Sequence, residues 1–188
     1  MESDRIEKII DEVMGKTETI IKQPSNETPM SDVTQKRSSI RKIAIGCDHG
    51  GFSLKEELKR FLEDDGFTVR DMGTDSTDSV DYPDFAEKVA RSVASGDCDR
   101  GIMIDSIGIA SAMAANKIRG IRAAPCRDVT TARSSREHNN ANVLTLGGKV
   151  LEDTLAKEIV SAWLSTEFAG GRHWPRVNKI MALERSAP

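Results

Sequence analysis

The segment Gly101–Lys117, GIMIDSIGIASAMAANK, carries a carboxylate, Asp105, from a short apolar run into a turn of small residues. In a parallel α/β sheet, ligands bind beyond the carboxyl ends of the strands, where helix N-termini present free N–H groups to anions. Placed there, Asp105 can act as a general base, and the turn can hold a phosphate or a developing oxyanion. Asp105 can equally serve only as a cap for the helix that follows.

Two other segments offer acid–base groups. Asp48 and His49 directly follow the first predicted strand, and the two glycines after them permit close approach of the backbone. An Asp–His pair can move protons on a hydroxyl, although Asp48 can also be only a helix cap and His49 a surface residue. His138 ends a later predicted helix, where it acts either as an acid–base group or as a cation that caps the helix.

Arg172 and Arg176 are spaced for phosphate binding. They lie four residues apart, so one helical face presents two guanidiniums that can clamp a phosphate; the alternative is a solvated basic face. Tyr82, the single tyrosine, either walls a pocket or packs structurally. The three histidines are scattered and the three cysteines are unpaired, so no metal site is predicted. The sequence has no Walker pattern and no Gly-x-Gly-x-x-Gly motif, so no nucleotide site is predicted either.

Length and composition exclude several classes of protein. With 188 residues, 38% of them hydrophobic, the chain can bury one good-sized core. A net charge of −3 gives no basic footprint for nucleic acid, and no apolar run is long enough for a membrane span. Few, scattered cysteines and the absence of a secretion signal predict a cytoplasmic protein with reduced thiols.

The chain divides into three parts. Residues 1–16 repeat apolar side chains at the spacing of an amphipathic helix, and residues 17–40 are polar and without periodicity, which is typical of a flexible linker. The remaining part, 41–188, alternates predicted strands with predicted helices. Strands joined by helical crossovers form a parallel sheet with helices on both faces, and right-handed crossovers place the carboxyl ends of all strands on one rim.

The predicted elements of residues 41–188 follow from hydrophobic patterning and turn signals. The strands are Lys42–Gly46, Phe67–Met72, Gly101–Ile104, Ile121–Pro125 and Val143–Leu146. The helices are Ser53–Asp65, Asp84–Ser95, Ser111–Lys117, Thr130–His138, Asp153–Phe168 and Arg172–Glu184.

Several motifs, in the right order, carry a resemblance to a known family. They are GCDHGG, DYPDFAEKVA, AANKIRGIRAA, SSREHNNANVLTLG and EFAGGRHWPRVNKI. Over residues 42–184 the chain resembles the ribose-5-phosphate isomerase B / galactose-6-phosphate isomerase family. The resemblance implies a Rossmann-like three-layer fold with a five-stranded parallel sheet, and it implies interconversion of aldose and ketose phosphates through an enediolate without a metal.

The resemblance also implies roles for residues at matching positions. Asp48 and His49 belong to the part of the site that handles the sugar. His138 assists ring opening, and Asn139 contacts the sugar or the intermediate.

Phosphate binding falls, by the same resemblance, to Arg172 and Arg176, while Tyr82 lines the pocket. The family assembles as a homodimer or a dimer of dimers and shares each site between subunits. The implied partners are therefore a sugar phosphate and a second copy of the chain, and no cofactor is implied.

The chain departs from the family pattern in the turn after Ile104. Many ribose-phosphate isomerases of the family read Cys-Gly-Thr-Gly-x-Gly there, with the cysteine as the base. This chain reads DSIGIA: Asp105 replaces the cysteine, Ile107 replaces a ring-opening hydroxyl, and Ser106 and Ala110 replace two glycines, while Gly108 is kept. The Asp-x-x-Gly form is similar to the LacA-type subunit of galactose-6-phosphate isomerase, which lacks the cysteine and works beside a partner.

We therefore expect a sugar-phosphate isomerase in which Asp105 is the base, provided that burial raises its pKa above the usual value of about 3.9. The backbone N–H groups of Ser106–Ala110 would stabilise the enediolate. The expected substrate pair is ribose 5-phosphate and ribulose 5-phosphate, or a related sugar phosphate. Because position 107 lacks the hydroxyl, a further hypothesis is better turnover of an open-chain or shorter sugar phosphate. The alternatives are a LacA-type subunit that needs a cysteine-bearing partner, and a non-catalytic binding or cargo module.

The N-terminal segment has a resemblance of its own. A short amphipathic helix followed by a polar linker is similar to the encapsulation peptides that take cargo into bacterial microcompartments. A helix as short as residues 1–16 needs a partner to bury its apolar stripe. We expect that partner to be a shell protein; the alternative is a helix that docks on its own domain or pairs within the oligomer.

Overall fold

The strands of the sheet are β1 (Lys42–Cys47), β2 (Thr68–Asp71), β3 (Arg100–Asp105), β4 (Ala123–Pro125) and β5 (Val143–Gly147). The structure is a computed structural model and describes residues 40–184. The strands form one sheet in the order β2-β1-β3-β5-β4, and every neighbouring pair is parallel. This confirms the predicted five-stranded parallel sheet. The predicted helix 1–16 and linker lie outside the described residues.

The helices that join the strands are α1 (Phe52–Asp64), α2 (Tyr82–Ala94), α3 (Ile109–Ala115), α4 (Val129–Asn139), α5 (Asp153–Ser165) and α6 (Trp174–Leu183), the last preceded by the 3-10 turn Gly171–His173. The helix predicted to reach Phe168 ends at Ser165, because the backbone turns extended at Thr166. Within residues 40–184, no helix combines the length and the hydropathy needed to cross a membrane.

Alternating side chains of the strands fill two cores. Ile43 and Ile45 of β1 pack on one face of the sheet, together with α1 and α5 and with the fully buried Trp163. Ala44 of β1 and Met103 of β3 point to the opposite face, where they meet α2 and α3. Since both faces of the sheet are covered, the fold is the expected three-layer, Rossmann-like α/β sandwich.

Parallel strands give the sheet two chemically distinct rims. The carboxyl rim consists of the loops that follow the strands, and the amino rim consists of the loops that precede them. Helices run back from the carboxyl rim to the amino rim. The N-cap of α4, Asp128, therefore lies beside the end of β4, and α4 ends at Asn139 beside the start of β5. Strands of about five residues separate the rims by roughly 16 Å.

Candidate active site

Asp48 lies at the end of β1 on the carboxyl rim and is 5% exposed. Its backbone N–H donates to the carbonyl of Ile104 on β3, at 3.2 Å. Its Oδ1 accepts hydrogen bonds from the N–H groups of Gly50 at 2.8 Å and Gly51 at 3.1 Å. Its Oδ2 makes no hydrogen bond to any residue between 40 and 184. Asp48 is thus a rigidly held carboxylate with one oxygen still open.

His49 is held by the loop that leads into α2. Its Nδ1 lies 3.2 Å from both the backbone N and the carbonyl O of Val80. Its Nε2 has no hydrogen-bond partner within the described part of the chain, so this nitrogen remains open to a ligand. Tyr82, two residues beyond Val80, opens α2 and packs against the core beneath that helix.

Asp105, at the end of β3, is also 5% exposed, but both of its oxygens are engaged. Oδ1 accepts from the N–H of Ile107 at 2.7 Å and from the N–H of Gly108. Oδ2 accepts from the N–H of Ser111 at 2.9 Å and from its hydroxyl at 2.5 Å. Burial pushes the pKa of Asp105 upwards, but these donors outweigh it, so the pKa lies below its usual value.

These bonds contradict the expectation of a raised pKa at Asp105, and they occupy two of the N–H groups of Ser106–Ala110 that were expected to bind an oxyanion. Proton abstraction by Asp105 required a raised pKa, whereas the structure lowers it. The physical reason is that Asp105 is the first residue of the turn, and the backbone N–H groups that follow it bind its carboxylate. Ser106 and Ala110 remain beside this turn on the carboxyl rim.

Close backbone contacts fix the loops of the carboxyl rim to one another. A Cβ added to Gly51 would lie 2.4 Å from the carbonyl oxygen of Ile104, and one added to Gly148 would lie 2.7 Å from the carbonyl oxygen of Gly50. The N–H of Lys149 donates to the carbonyl of Ser106 at 3.1 Å. Lys149 therefore adds a cation to this rim that was not predicted from the sequence; the available signal was its place two residues after β5.

The other candidate residues lie on the amino rim. His138, in the last turn of α4, stacks its ring on that of His173, with centroids 4.6 Å apart. The N–H of Ala169 donates to the carbonyl of Glu137 at 3.0 Å, which joins the start of the C-terminal segment to the end of α4. Asn139 follows His138, and its amide donates to Ser134 at 3.5 Å.

This cluster holds two arginines and two histidines, together with the Glu137 carboxylate, which lies 3.8 Å from His138 Nε2. Desolvation, followed by the neighbouring His138, Arg172 and Arg176, lowers the pKa of His173. Positive charge gathered at the surface in this way favours a bound anion such as a phosphate. Both arginines were predicted from the sequence, but His173 was not, because its stacking on His138 requires the folded chain.

Arg136 supports this rim from beneath and is 1% exposed. It donates to the carbonyls of Ala141 at 2.5 Å and Thr166 at 3.3 Å and to the side chain of Asn140 at 2.9 Å. Burial, together with Arg100, lowers its pKa to about 10. The end of α4, which carries His138, is therefore bound to the segment after α5 through a buried guanidinium.

The candidate residues thus form two half-sites on opposite rims of one chain. We call Asp48, His49 and Asp105 with its turn the carboxyl half-site. We call His138, Asn139, Arg172 and Arg176 the amino half-site. The sheet lies between the half-sites, so the structure does not bring them together within one chain.

The described cysteines offer no thiolate to the carboxyl half-site. Burial raises the pKa of Cys47 to about 12 and also raises that of Cys126. Among residues 40–184, no cluster of three or more histidine, cysteine, aspartate or glutamate side chains is placed to hold a metal ion.

Comparisons with known proteins agree with this fold and these motifs. The chain is 47% identical over 146 residues to ribose-5-phosphate isomerase B of Escherichia coli, which covers 78% of this chain and 98% of the relative. It is 43% identical over 139 residues to D-erythrulose-4-phosphate isomerase of Pectobacterium atrosepticum, covering 73% of this chain and 91% of the relative.

Solved structures show the same similarity. Ribose-5-phosphate isomerase B of Clostridium thermocellum matches with a TM-score of 0.76 and 54% identity, covering 77% of this chain and 97% of that one. The Mycoplasma genitalium enzyme with bound ribulose-5-phosphate matches with a TM-score of 0.75 and 40% identity, over 78% and 97% of the two chains. The Ribose/Galactose Isomerase family matches residues 43–180. This chain therefore belongs to the Ribose/Galactose Isomerase family, whose relatives named above are sugar-phosphate isomerases.

Proposed function

We propose that two copies of this chain form a sugar-phosphate isomerase that interconverts an aldose phosphate and a ketose phosphate. The observation that carries the proposal is the separation of the two half-sites. Neither half-site is sufficient alone, because the carboxyl half-site holds the acid–base groups and the amino half-site holds the phosphate-binding arginines. A second copy supplies the missing half when its amino rim meets the carboxyl rim of the first.

Exposed apolar side chains flank both half-sites. Ile107 and Ile109 are each 41% exposed beside the carboxyl half-site. Trp174 and Ile180 on α6, beside the amino half-site, are 49% and 44% exposed. Burying such side chains in a subunit contact gains about 25 cal/mol for each Å² removed from water. This supports a homodimer, and a dimer of dimers repeats the same contact.

In the proposed reaction, the amino half-site binds the phosphate and the carboxyl half-site moves protons at the other end of the sugar. Arg172 and Arg176 hold the phosphate, Asn139 contacts the sugar, and His138 opens the ring of a cyclic substrate. His49 exchanges a proton with the substrate oxygens through its open Nε2. The intermediate is an enediolate, and this scheme needs no metal.

We further propose a short or open-chain substrate, such as a four-carbon sugar phosphate. Ile107 presents an apolar side chain on the carboxyl rim where many relatives have the hydroxyl that assists ring opening. A tetrose phosphate with its phosphate on the terminal oxygen needs no ring opening. The similarity to a D-erythrulose-4-phosphate isomerase supports this substrate class.

The purified chain is expected to turn over erythrulose 4-phosphate with a kcat/KM at least about tenfold above that for ribose 5-phosphate, in line with the cost of a missing acid–base contact. Changing Ile107→Thr is expected to raise kcat/KM on ribose 5-phosphate more than on the tetrose. Ile109→Thr, equally exposed on the same rim, is the matched control. Equal or better turnover of ribose 5-phosphate by the unmodified chain would refute the short-substrate proposal.

A second candidate is a LacA-type subunit that binds a sugar phosphate and works beside a cysteine-bearing partner. The observation in its favour is that Asp105, at the position of the usual base, is fully engaged in hydrogen bonds. The same assay decides between the two candidates. Turnover by the chain alone supports the homodimeric enzyme; binding without turnover supports the subunit.

From the sequence we also propose that residues 1–16 carry the chain into a bacterial microcompartment. Deleting them is expected to leave kcat and KM unchanged and to abolish co-purification with shell proteins. The control is a chain with residues 1–16 intact and the polar linker shortened. Loss of turnover in the deletion variant would instead indicate a role for the segment in the isomerase domain.

A further inference from the structure

An aldose–ketose isomerase needs a base with a free lone pair beside carbon 2 of the substrate. Asp48 offers one on the carboxyl rim. Both backbone donors that hold Asp48, from Gly50 and Gly51, bind the same oxygen, Oδ1. The other oxygen, Oδ2, has no donor among the described residues. The two hydrogen bonds to Oδ1 therefore fix the orientation of the carboxylate and leave Oδ2 able to accept a proton.

Three other carboxylates that follow strands are engaged or distant. Asp105 accepts hydrogen bonds on both oxygens. Asp71 pairs with Lys55 at 2.8 Å and Lys59 at 3.2 Å and accepts from the N–H of Gly73. Asp128 is exposed and follows β4, which β5 and β3 separate from β1, a distance of roughly 14 Å. The buried Cys47 thiol stays protonated.

Asp48 also lies beside the turn that usually carries the base in relatives. Its N–H bonds the carbonyl of Ile104, the residue before Asp105. The loop after it is packed so closely on that turn that a Cβ at Gly50 would lie 2.2 Å from the hydroxyl oxygen of Ser106. A substrate that reaches the turn at Ser106 therefore also lies near Asp48.

We infer that Asp48 is the base that moves the proton between carbon 1 and carbon 2, and that Asp105 positions the turn instead. This inference rests on the proposed isomerase function. Asp48 Oδ2 takes the proton from carbon 2 of the aldose phosphate. The released electron pair forms the C1–C2 double bond, and the carbonyl pair moves onto oxygen 1. Asp48 then returns the proton to carbon 1, the hydrogen on oxygen 2 passes to oxygen 1, and the ketose phosphate results.

Asp48→Asn tests this role because it removes the base with little change to the fold. The amide oxygen still accepts from Gly50 and Gly51, while the NH₂ group replaces the open Oδ2. In the chain of residues 1–188 we expect kcat for erythrulose 4-phosphate to fall by about 10³-fold, with KM changed by no more than about twofold. Exchange of the carbon-bound hydrogen with deuterium from D₂O, followed by proton NMR, is expected to fall equally. Asp105→Asn is compared at a temperature where it is folded. Its kcat is expected to fall by about tenfold, and it is expected to keep exchanging the carbon-bound hydrogen with deuterium.

The outcomes separate the inference from the function on which it rests. An unmodified chain that shows neither turnover nor exchange refutes the proposed isomerase, and the assignment of Asp48 with it. An active unmodified chain whose Asp48→Asn variant keeps its exchange rate refutes the assignment alone. If Asp105→Asn loses the deuterium exchange and Asp48→Asn keeps it, Asp105 is the base and the inference is wrong. The expected order, with Asp48→Asn the slower exchanger, supports the inference.

Discussion

Mixing two variants that are each inactive, Asp48→Asn and Arg172→Ala, is expected to restore about a quarter of the unmodified activity. Each variant alone disables both sites of a homodimer, because every site takes one half from each copy. In a mixed dimer, one site combines the unmodified carboxyl half of the first copy with the unmodified amino half of the second. The other site carries both substitutions. Random pairing makes about half of the dimers mixed, and half of their sites are intact.

The parents must be nearly inactive for the recovery to be measured. Removing Arg172 takes away a charge-assisted bond to the substrate phosphate, which is worth about 1.5–3 kcal/mol and lowers kcat/KM by one to two orders of magnitude. Changing Arg172 and Arg176 together deepens that loss. The variants are mixed after unfolding and refolded, and turnover is measured against unmixed samples treated in the same way.

A mixture of Asp48→Asn with His49→Ala provides the matched control. Both changes fall in the carboxyl half-site, so every site in the mixed dimer still carries one of them. This mixture is expected to show no recovery beyond the sum of its parents. Recovery in neither mixture would mean that each chain builds its own site, which contradicts the opposed rims of the sheet.

The amino-acid sequence predicted the fold because its patterns are local. Hydrophobic patterning and turn signals located the strands and helices, and helical crossovers required a parallel sheet. Each predicted strand and helix of residues 41–188 corresponds to an observed one, within a few residues at the ends. The departures are at the ends of elements: α5 ends at Ser165, and the carbonyl of Thr166 just beyond it accepts a long-range bond from Arg136.

The chemistry of the candidate site was less predictable, because it depends on contacts across the fold. The sequence showed that Asp105 enters a turn, but the choice between a base and a cap depends on Ser111. That serine bonds Asp105 from six residues further along. A polar residue within an alanine-rich helix was the available signal. The stacking of His138 on His173 joins two distant segments, and no sequence spacing indicates it.

Asp105→Asn is expected to lower the free energy of unfolding by about 2–4 kcal/mol at neutral pH. The carboxylate accepts four hydrogen bonds in a buried site, and an amide can accept only on its oxygen. Its NH₂ group would face donors, either the N–H groups of Ile107 and Gly108 or that of Ser111. Buried donors left without an acceptor carry the cost of their desolvation. Urea denaturation, followed by circular dichroism, measures the difference.

Asp128→Asn provides the comparison for a carboxylate in an ordinary cap. Asp128 is exposed and accepts one backbone bond, from the N–H of Thr131 at 2.7 Å. Asparagine is as good a residue as aspartate at that position of a helix, so its substitution is expected to cost less than about 0.5 kcal/mol. If Asp105→Asn lowers the free energy of unfolding no more than Asp128→Asn does, the buried hydrogen bonds of Asp105 contribute little to stability.

The pH dependence identifies the charged form of Asp105 as the source of the stability. Its pKa in the folded chain lies below the value of 3.8 found when it is unperturbed, so the unfolded chain binds the proton more tightly. The stabilisation is therefore complete above that unperturbed value and is lost as pH falls through the lower, folded one. The asparagine variant has no such proton to bind at that position. The unmodified chain and the Asp105→Asn variant differ in their free energy of unfolding. This difference is expected to stay constant from pH 7 to about 5 and to become smaller below about 3.8. If this difference in free energy does not depend on pH, the lost stability comes from the shape of the side chain and not from its charge. If it becomes smaller at low pH, the ionised carboxylate of Asp105 is what stabilises the turn.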